Sequence, residues 1–425
     1  MLAAWLLASA PPSSGQDIEA EPIRYSTATP RNPIAELKGR IDAGAARLEF
    51  AGDHGYLRGL LKALDIPESS QVLVYSKTSM QRQRISPKTP RAIYFNDDVT
   101  VGYCLKGSVL EIATVDDALG TSFYTIDQDR EVPPAPERQT ESCLLCHASS
   151  ANQKMPGHLV RSLYVDRQGE PMLAGGSFRT DHESPLAERW GGWYVTGTSG
   201  NQEHLGNRIY RGNRKPESYD DDGVNVVDLS GRFTTALYPT PHSDIVALMV
   251  LEHQVGMLNR LARAGIETRM ALHYQEDLNK ALGRPPGTEA ESTRSRIRSV
   301  GDAVVRYMLF QGEAQLTGDI EGTSPFAAEF AARGPRDGKG RSLREFDLQT
   351  RLFRHPCSYL ITSRAYTSLP AEVKGYIDGR LWDILNDRNR RKDDPRLSAE
   401  DRRAIIEILR ATRTDLPEAW KDGPA

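Results

Sequence analysis

The chain has 425 residues, which is enough for two or three domains with a substantial hydrophobic core. Its formal net charge of −3 is close to neutral, so neither a nucleic acid nor an anionic membrane surface is indicated as a partner. Its four cysteines are too few for a fold that depends on disulfides.

The N-terminal segment has features of a secretory signal peptide. Its first ten residues are apolar (MLAAWLLASA) and end in Ala8-Ser9-Ala10, a pattern typical of a cleavage site, although a positively charged start is missing. We predict a signal-like segment over residues 1–15 and a polar leader over residues 16–32. No later stretch approaches the ~20 consecutive apolar residues of a membrane span. The sequence therefore predicts a periplasmic or otherwise exported protein without a membrane span.

Helical and strand patterns follow in turn over residues 33–135. Apolar residues at helical spacing predict helices over residues 34–48 and 56–64. From Val72 onward, short runs rich in β-branched and aromatic residues are separated by turn-forming residues and predict an antiparallel sheet. We assign residues 33–135 to a mixed helix and strand domain. The predicted strands cover residues 72–75, 92–95, 99–105, 109–115 and 122–126.

Cys143, Cys146 and His147 form a Cys-x-x-Cys-His motif, the attachment signature of c-type haem. The two intervening residues place both sulfurs on one turn, where they can add across the two haem vinyl groups. The adjacent histidine can then coordinate the iron from the proximal side. The sequence therefore predicts one covalently bound haem c, with His147 as the proximal ligand.

Other roles of these cysteines stay open. A thioredoxin-like redox pair would follow a buried strand, whereas this motif follows a proline- and charge-rich loop over residues 131–140. A structural zinc site needs four ligands, and the remaining cysteines, Cys104 and Cys357, are isolated. Those two are either a disulfide pair or buried small hydrophobic residues.

Strands continue after the motif and helices fill the last part of the chain. We predict a hairpin over residues 159–173, a strand over residues 190–198, and a haem-attachment module over residues 136–238. Residues 239–425 are predicted as a helical domain, with helices that begin at a Ser243 cap, at Ile297, near Pro370 and at a capping box of Ser398 and Asp401. The predicted fold class is α+β, with a strand-rich, haem-bearing N-terminal half and a mostly helical C-terminal half. This is not a plain class I cytochrome c, which is small, mostly helical and carries the motif near its N-terminus.

Several segments resemble a group of large, largely uncharacterised bacterial cytochrome c domain-containing proteins. The resemblance covers most of the chain and implies haem binding and electron transfer, but no substrate, because the group has no assigned reaction. Only Cys143, Cys146 and His147 take defined roles from it. The segments that carry the resemblance are residues 92–97, 143–147, 156–162, 177–182, 189–197, 241–244 and 355–360.

A six-coordinate haem needs a ligand on the face opposite His147, and a methionine or histidine there sets the reduction potential. We favour His158 and His182, which lie in turn-rich stretches where a loop can fold over the iron. The alternative for each histidine is an ordinary surface or capping residue. The other candidates within reach in the sequence are Met155, Met172 and His204.

Arginine suits the haem propionates because its guanidinium binds carboxylates through two parallel hydrogen bonds. The alternative for the arginines near the motif is a solvated basic face. Further along, Glu252 lies between His242 and His253 within an apolar helical stripe, which favours either a satisfied core pair or a metal or proton-relay site. The residues predicted to bind the propionates or line the haem pocket are Arg161, Arg179, Arg189 and Trp190.

The combined features predict an exported monohaem c-type cytochrome that passes single electrons to a redox partner protein or a small-molecule donor or acceptor. A haem enzyme of peroxidase or small-molecule oxidase type is an alternative, because the chain is far longer than a carrier needs. A haem-based sensor or scaffold is a third hypothesis. Nucleotide chemistry and the common hydrolase classes lack support, since their signature motifs are missing from the sequence.

Overall fold

The structure is a computed structural model that describes residues 18–210 and 223–421. The predicted signal-like segment, residues 1–15, lies outside the described residues. The strands are Val72–Val74 (β1), Arg91–Phe95 (β2), Val99–Tyr103 (β3), Val109–Asp116 (β4), Gly120–Asp127 (β5), Glu137–Gln139 (β6), Arg161–Leu163 (β7), Ser177–Arg179 (β8), Trp193–Tyr194 (β9), Gly197–Thr198 (β10) and Glu321–Gly322 (β11). The helices are Pro33–Asp42 (α1), Leu57–Ala63 (α2), Leu144–His147 (α3), Ile245–Ala281 (α4), Glu291–Met308 (α5), Phe326–Ala332 (α6), Arg364–Thr367 (α7), Ala371–Leu385 (α8), Ala399–Thr412 (α9) and Glu418–Lys421 (α10).

Seven strands form one antiparallel sheet in the order β6-β5-β4-β3-β2-β1-β9. The predicted strands of residues 72–126 are all in it. Because side chains alternate between the two faces of a strand, the sheet has two apolar faces. One face, which includes Tyr94 and Val101, packs against α1 and α2. The opposite face, which includes Ile93 and Phe95, packs into the helical half.

Helix α4 is the centre of the helical half. It packs against α5 and against β5, and α5 in turn packs against α8. The prediction that Ser243 caps α4 is wrong by one residue: the Asp244 side chain accepts from the backbone amides of Val246 and Ala247. The Ser243 hydroxyl instead donates to the Tyr194 carbonyl and accepts from the Leu73 amide, which ties the start of α4 to β9 and β1.

Ser398 is confirmed as the N-cap of α9, because its hydroxyl accepts from the Asp401 amide at 2.9 Å. The Asp401 carboxylate completes the contact by accepting from the same hydroxyl at 2.8 Å. The predicted helix over residues 34–48 ends at Asp42, where Gly44 adopts a φ of 70° that reverses the chain.

The predicted hairpin of residues 159–173 forms at its turn, where Val165 bridges Pro171 and the Met172 amide donates to the Tyr164 carbonyl at 2.8 Å. Further from the turn, β7 pairs with β8, which lies beyond the predicted second strand.

The fold class is α+β, with an antiparallel sheet in the N-terminal half and helices in the C-terminal half, so that prediction is confirmed. Strands β6 and β9, from the predicted haem-attachment module, extend the sheet of the preceding predicted domain. The domain boundaries themselves stay a prediction. Across residues 18–210 and 223–421, no helix combines the length and apolar character that crossing a bilayer requires.

Candidate haem attachment site

The haem motif forms a single helical turn at the surface. Cys143 is the N-terminal cap of α3, and its carbonyl accepts from the amides of Cys146 and His147 at 3.3 and 3.0 Å. Leu144 packs into a small core cluster beneath the turn, whereas Leu145 is 81% exposed. Cys146 is exposed and Cys143 is half-buried. The turn is therefore anchored from below while both thiols remain accessible.

The His147 ring is held in one orientation. Its Nδ1 lies 2.9 Å from the Gly157 carbonyl oxygen, so Nδ1 carries the proton and donates it. Nε2 keeps the lone pair that a metal would take, and no hydrogen bond reaches it from the described parts of the chain. The ring also packs on Phe123 of β5, with centroids 4.7 Å apart. Burial lowers the pKa of His147, which favours the neutral, ligating imidazole.

The Gly157 carbonyl is itself held in place from both sides. Asn152 donates to the carbonyls of His147 and His158 at 3.0 and 3.1 Å. Asn259 of α4 accepts from the His158 amide and donates to the His158 carbonyl, both at 2.9 Å. A Cβ at position 157 would lie 2.4 Å from the Asn259 side chain, so the close approach requires glycine. The central helix therefore positions the loop that orients His147.

Two further features surround the motif. Arg91 of β2 and Glu111 of β4 form an ion pair at 2.6 Å across the intervening strand β3. Arg91 lowers the pKa of His147 and Glu111 raises it. Met80, which is 57% exposed, places its Sδ 4.0 Å from the Sγ of Cys143. Sequence reasoning missed Met80 because it lies 63 residues before the motif. Only knowledge of how β1 and its following loop fold back could have found it.

His158, a predicted distal ligand, is buried next to the motif. Its Nδ1 lies 3.4 Å from the Thr121 hydroxyl, its Nε2 has no hydrogen-bond partner, and burial lowers its pKa to about 3. It directly follows Gly157, the residue that supports His147 from the proximal side. This position weighs against a distal role without a rearrangement of the loop, and that role stays a prediction.

His182, the other predicted distal ligand, belongs to a second, fully buried cluster. Its Nδ1 lies 2.8 Å from Nδ1 of His253, whose Nε2 lies 2.8 Å from the Ser358 hydroxyl. The rings of Tyr307 and Phe310 stack on both imidazoles. Burial lowers the pKa of both histidines, that of His253 to about 3, so the pair is neutral.

An ion pair completes this buried cluster. Arg189 contacts Glu252 at 3.2 Å and also donates to the carbonyls of His182 and Ser184. Burial raises the pKa of Glu252 to about 7, whereas Arg189 and the neighbouring side chains of Thr180 and Trp190 oppose that shift. The donors of Arg189 are thus occupied within the protein core. Its predicted contact with a haem propionate, and that of buried Trp190, remain predictions.

The other predicted residues lie apart from these two clusters. Arg161 and Arg179 face each other across the β7–β8 hairpin, and Arg161 donates to the Ser177 hydroxyl at 2.7 Å. His204 is buried against the edge of Trp190. Met155 is buried in the core cluster below Leu144, and Met172 lies at the start of a turn.

The remaining cysteines and His242 lie apart from one another and do not form a metal site. Cys104 and Cys357 are both free and buried, as expected for small core residues. His242 lies outside the buried pair and contacts the Thr323 hydroxyl at 3.0 Å. No group of three or more histidine, cysteine or acidic side chains in residues 18–210 and 223–421 is placed to hold a metal ion by itself. A haem iron needs fewer protein ligands, because the porphyrin supplies four ligands and the chain only one or two.

Comparison of the chain with protein-family models, with curated proteins and with solved structures found no match. The assignment of the site therefore depends on the residues and their geometry.

Proposed function

We propose that the chain is an exported monohaem c-type cytochrome that transfers single electrons. The observation that carries the proposal is the orientation of His147: a backbone carbonyl holds Nδ1, and Nε2 is left free on a turn that also presents two thiols. A hydrogen bond from the ring nitrogen that does not face the metal fixes the tautomer and raises the basicity of a metal-ligating histidine. The disulfide alternative gives no reason for it, and a structural zinc site would need four protein ligands, which no group of side chains in residues 18–210 and 223–421 provides.

Each residue of the turn has a distinct role in this proposal. Cys143 and Cys146 would hold a haem through thioether links, and His147 would coordinate its iron. Bound haem would supply reversible one-electron chemistry. Cys146 and Leu145 are exposed, so the linked haem edge would lie at the protein surface. Electrons could then pass to a redox partner protein or a small molecule without a dedicated channel.

The candidates for the sixth ligand of the iron differ in the hydrogen bonds that they would have to break. His158 is held on the proximal side and His182 is paired with His253, so either would have to break hydrogen bonds to reach the iron. Met80 is exposed beside Cys143, and its one hydrogen bond, from the Cys143 thiol, would be lost in any case when that thiol forms a thioether. We therefore add Met80 to the candidates. If no side chain binds, an open position favours the haem enzyme or the haem-based sensor.

The test of attachment is maturation of the full chain in an exporting host that attaches haem c. We expect the wild type to retain haem through denaturing electrophoresis and the Cys143→Ala/Cys146→Ala variant to lose it. Cys104→Ala and Cys357→Ala are matched controls, because each removes a thiol outside the motif. Haem retained by the double variant, or no haem in the wild type, contradicts the proposal.

A second measurement distinguishes an electron carrier from a haem enzyme or a haem-based sensor. Absorption and electron paramagnetic resonance spectra, with and without carbon monoxide, report whether the sixth position is filled. A six-coordinate iron that does not react with carbon monoxide supports the electron carrier. A five-coordinate iron that binds carbon monoxide supports the enzyme or sensor. Loss of the six-coordinate spectrum in Met80→Leu, with His158→Ala and His182→Ala unchanged, would identify the ligand.

A further inference from the structure

A cavity of about 420 Å³ lies behind the loop that supports His147. Its walls are the loop of residues 152–160, the end of β8, and helices α4 and α5. This volume falls in the range of pockets that bind small organic molecules. The motif residues Cys143, Cys146 and His147 do not line it, so the cavity is separate from the proposed haem attachment site.

The cavity has an excess of positive charge. Four arginines line it, together with a single acidic residue, Asp181. Two of the arginines are neutralised: Arg260 contacts Asp181 and Glu183 at 3.6 and 3.3 Å, and Arg263 contacts Glu267.

The other two arginines are Arg179, from β8, and Arg306, from α5. Neither forms an ion pair within the described ranges of the chain, although Glu183 lies near enough to Arg306 to interact with it electrostatically. Both arginine side chains are exposed. They come from different elements and border one cavity, so a single ligand could contact both. Planar guanidinium groups bind carboxylate and phosphate oxygens with two parallel hydrogen bonds.

The rest of the lining adds polar and apolar groups. His158 is 6% exposed, and its Nε2 has no hydrogen-bond partner. If the Thr121 hydroxyl donates to Nδ1, Nε2 carries a proton and is a donor that an anion could accept. Val255 and Val300 provide an apolar wall. This mixture suits an organic anion with a short apolar part better than a bare inorganic ion.

We infer that this cavity binds a small organic anion, whose carboxylate or phosphate oxygens contact Arg179 and Arg306. This inference goes beyond the proposed function, because the binding itself needs no haem.

A consequence does rest on the proposed function. Asn152, Gly157, His158 and Asn259 line the cavity and also hold the loop whose carbonyl binds Nδ1 of His147. An occupied cavity would change how firmly that loop is held, and thereby the basicity of the imidazole. We therefore expect anion binding to shift the reduction potential of the haem.

The test is calorimetric titration of the full-length, matured protein with succinate and, separately, with inorganic phosphate. Succinamide, which has the size of succinate without its charges, is the neutral control. We expect the wild type to bind at least one of the two anions and not succinamide. The Arg179→Gln/Arg306→Gln variant should bind at least about tenfold more weakly, which corresponds to about 1.4 kcal/mol. Binding should also weaken with added salt, because both arginines are exposed.

Arg298→Gln is the matched control variant. Arg298 is an exposed arginine of the same helix, α5, that does not line the cavity, so its loss should leave the affinity unchanged. A response to succinate alone identifies a carboxylate ligand, and a response to phosphate alone identifies a phosphate ligand. No binding of either anion at millimolar concentration, or equal binding by the double variant, overturns the inference.

The anion-binding inference and the haem proposal can each be wrong while the other is right. If the chain attaches no haem but binds the anion through Arg179 and Arg306, the proposed function is wrong and the cavity assignment stands. If haem is attached and neither anion binds, the reverse holds. An anion that binds without a change in potential supports the binding site and contradicts only its coupling to His147.

Discussion

His147 and the buried pair of His182 and His253 differ in what their ring nitrogen atoms contact. His147 has one nitrogen bonded to a carbonyl and the other without a hydrogen bond, on a turn with accessible thiols. His182 and His253 are fully buried, bonded to each other, and covered by aromatic rings. Both clusters are neutral because burial lowers the pKa of their histidines. A lowered pKa therefore does not distinguish the two clusters, whereas the accessible Nε2 of His147 does, and the proposed function rests on that difference.

The largest expected difference is that loss of His147 alters the haem spectrum, whereas loss of His253 alters stability. His147→Ala should abolish proximal coordination of the iron and lower the free energy of unfolding by only about 1 kcal/mol, since it removes one hydrogen bond and a ring contact at a partly exposed position. His253→Ala should keep the haem spectrum but lower the free energy of unfolding by about 4 kcal/mol, because it opens a cavity and leaves His182 and Ser358 without a partner. Absorption spectra and chemical denaturation measure the two effects.

This prediction fails if the effects are exchanged or if each variant shows both. A His253→Ala variant with an altered iron spectrum would mean that the buried cluster contacts the haem. The distinction between a ligand cluster and a structural cluster would then be wrong.

A smaller loss of stability is expected when the buried ion pair is broken from its cationic side. Arg189→Met removes the contact to Glu252 and the hydrogen bonds to two buried carbonyls. We expect a decrease of about 3 kcal/mol in the free energy of unfolding, with covalent haem retained. Arg294→Met is the control: it breaks exposed ion pairs with Glu289 and Glu291 and should cause no measurable change. Equal losses in the two variants would contradict the prediction.

The Glu252 carboxylate should make the free energy of unfolding depend on pH. The pKa of Glu252 is about 7 in the folded protein and near 4.5 without the fold, so folding favours its protonated form. Its stabilising contribution is complete below about pH 4.5 and is lost as the pH rises through about 7. The free energy of unfolding of the wild type minus that of Glu252→Gln should therefore fall between pH 5 and pH 8, by about 1 to 3 kcal/mol. Subtracting the variant removes the opposite contribution of the buried histidines. A difference that is constant with pH would show that Glu252 is ionised throughout.

Local patterns in the sequence predicted the parts of the fold that local forces determine. The strands of residues 72–126 and the Ser398 N-cap of α9 depend on side-chain alternation and on contacts within a few residues. The turn that carries Cys143, Cys146 and His147 is likewise local. These features are therefore found in the structure close to where the sequence placed them.

The surroundings of the site depend on long-range packing and were not predictable in the same way. His147 is oriented through Asn259, and the Asn259 contact with His158 spans 101 residues. Arg189 was predicted at the haem edge from residue type alone. The carboxylate that occupies it, Glu252, comes 63 residues later, on the central helix. Distinguishing a surface arginine from one paired in the core required the position of that helix.

The smallest expected effect tests whether that distant helix tunes the haem site. Asn259→Ala removes two hydrogen bonds to the backbone of His158 and loosens the Gly157 carbonyl. A weaker hydrogen bond from Nδ1 makes the imidazole a poorer electron donor, so the ferric form is less stabilised and the reduction potential should rise. Asn279→Ala is the matched control, because Asn279 is a buried asparagine of the same helix that donates to the Thr288 carbonyl at 2.9 Å, away from this loop. Both variants should lose about 1 kcal/mol of stability, and only Asn259→Ala should shift the potential in a spectroelectrochemical titration. If both variants shift the potential equally, α4 acts through general stability; if neither does, the carbonyl is held without Asn259.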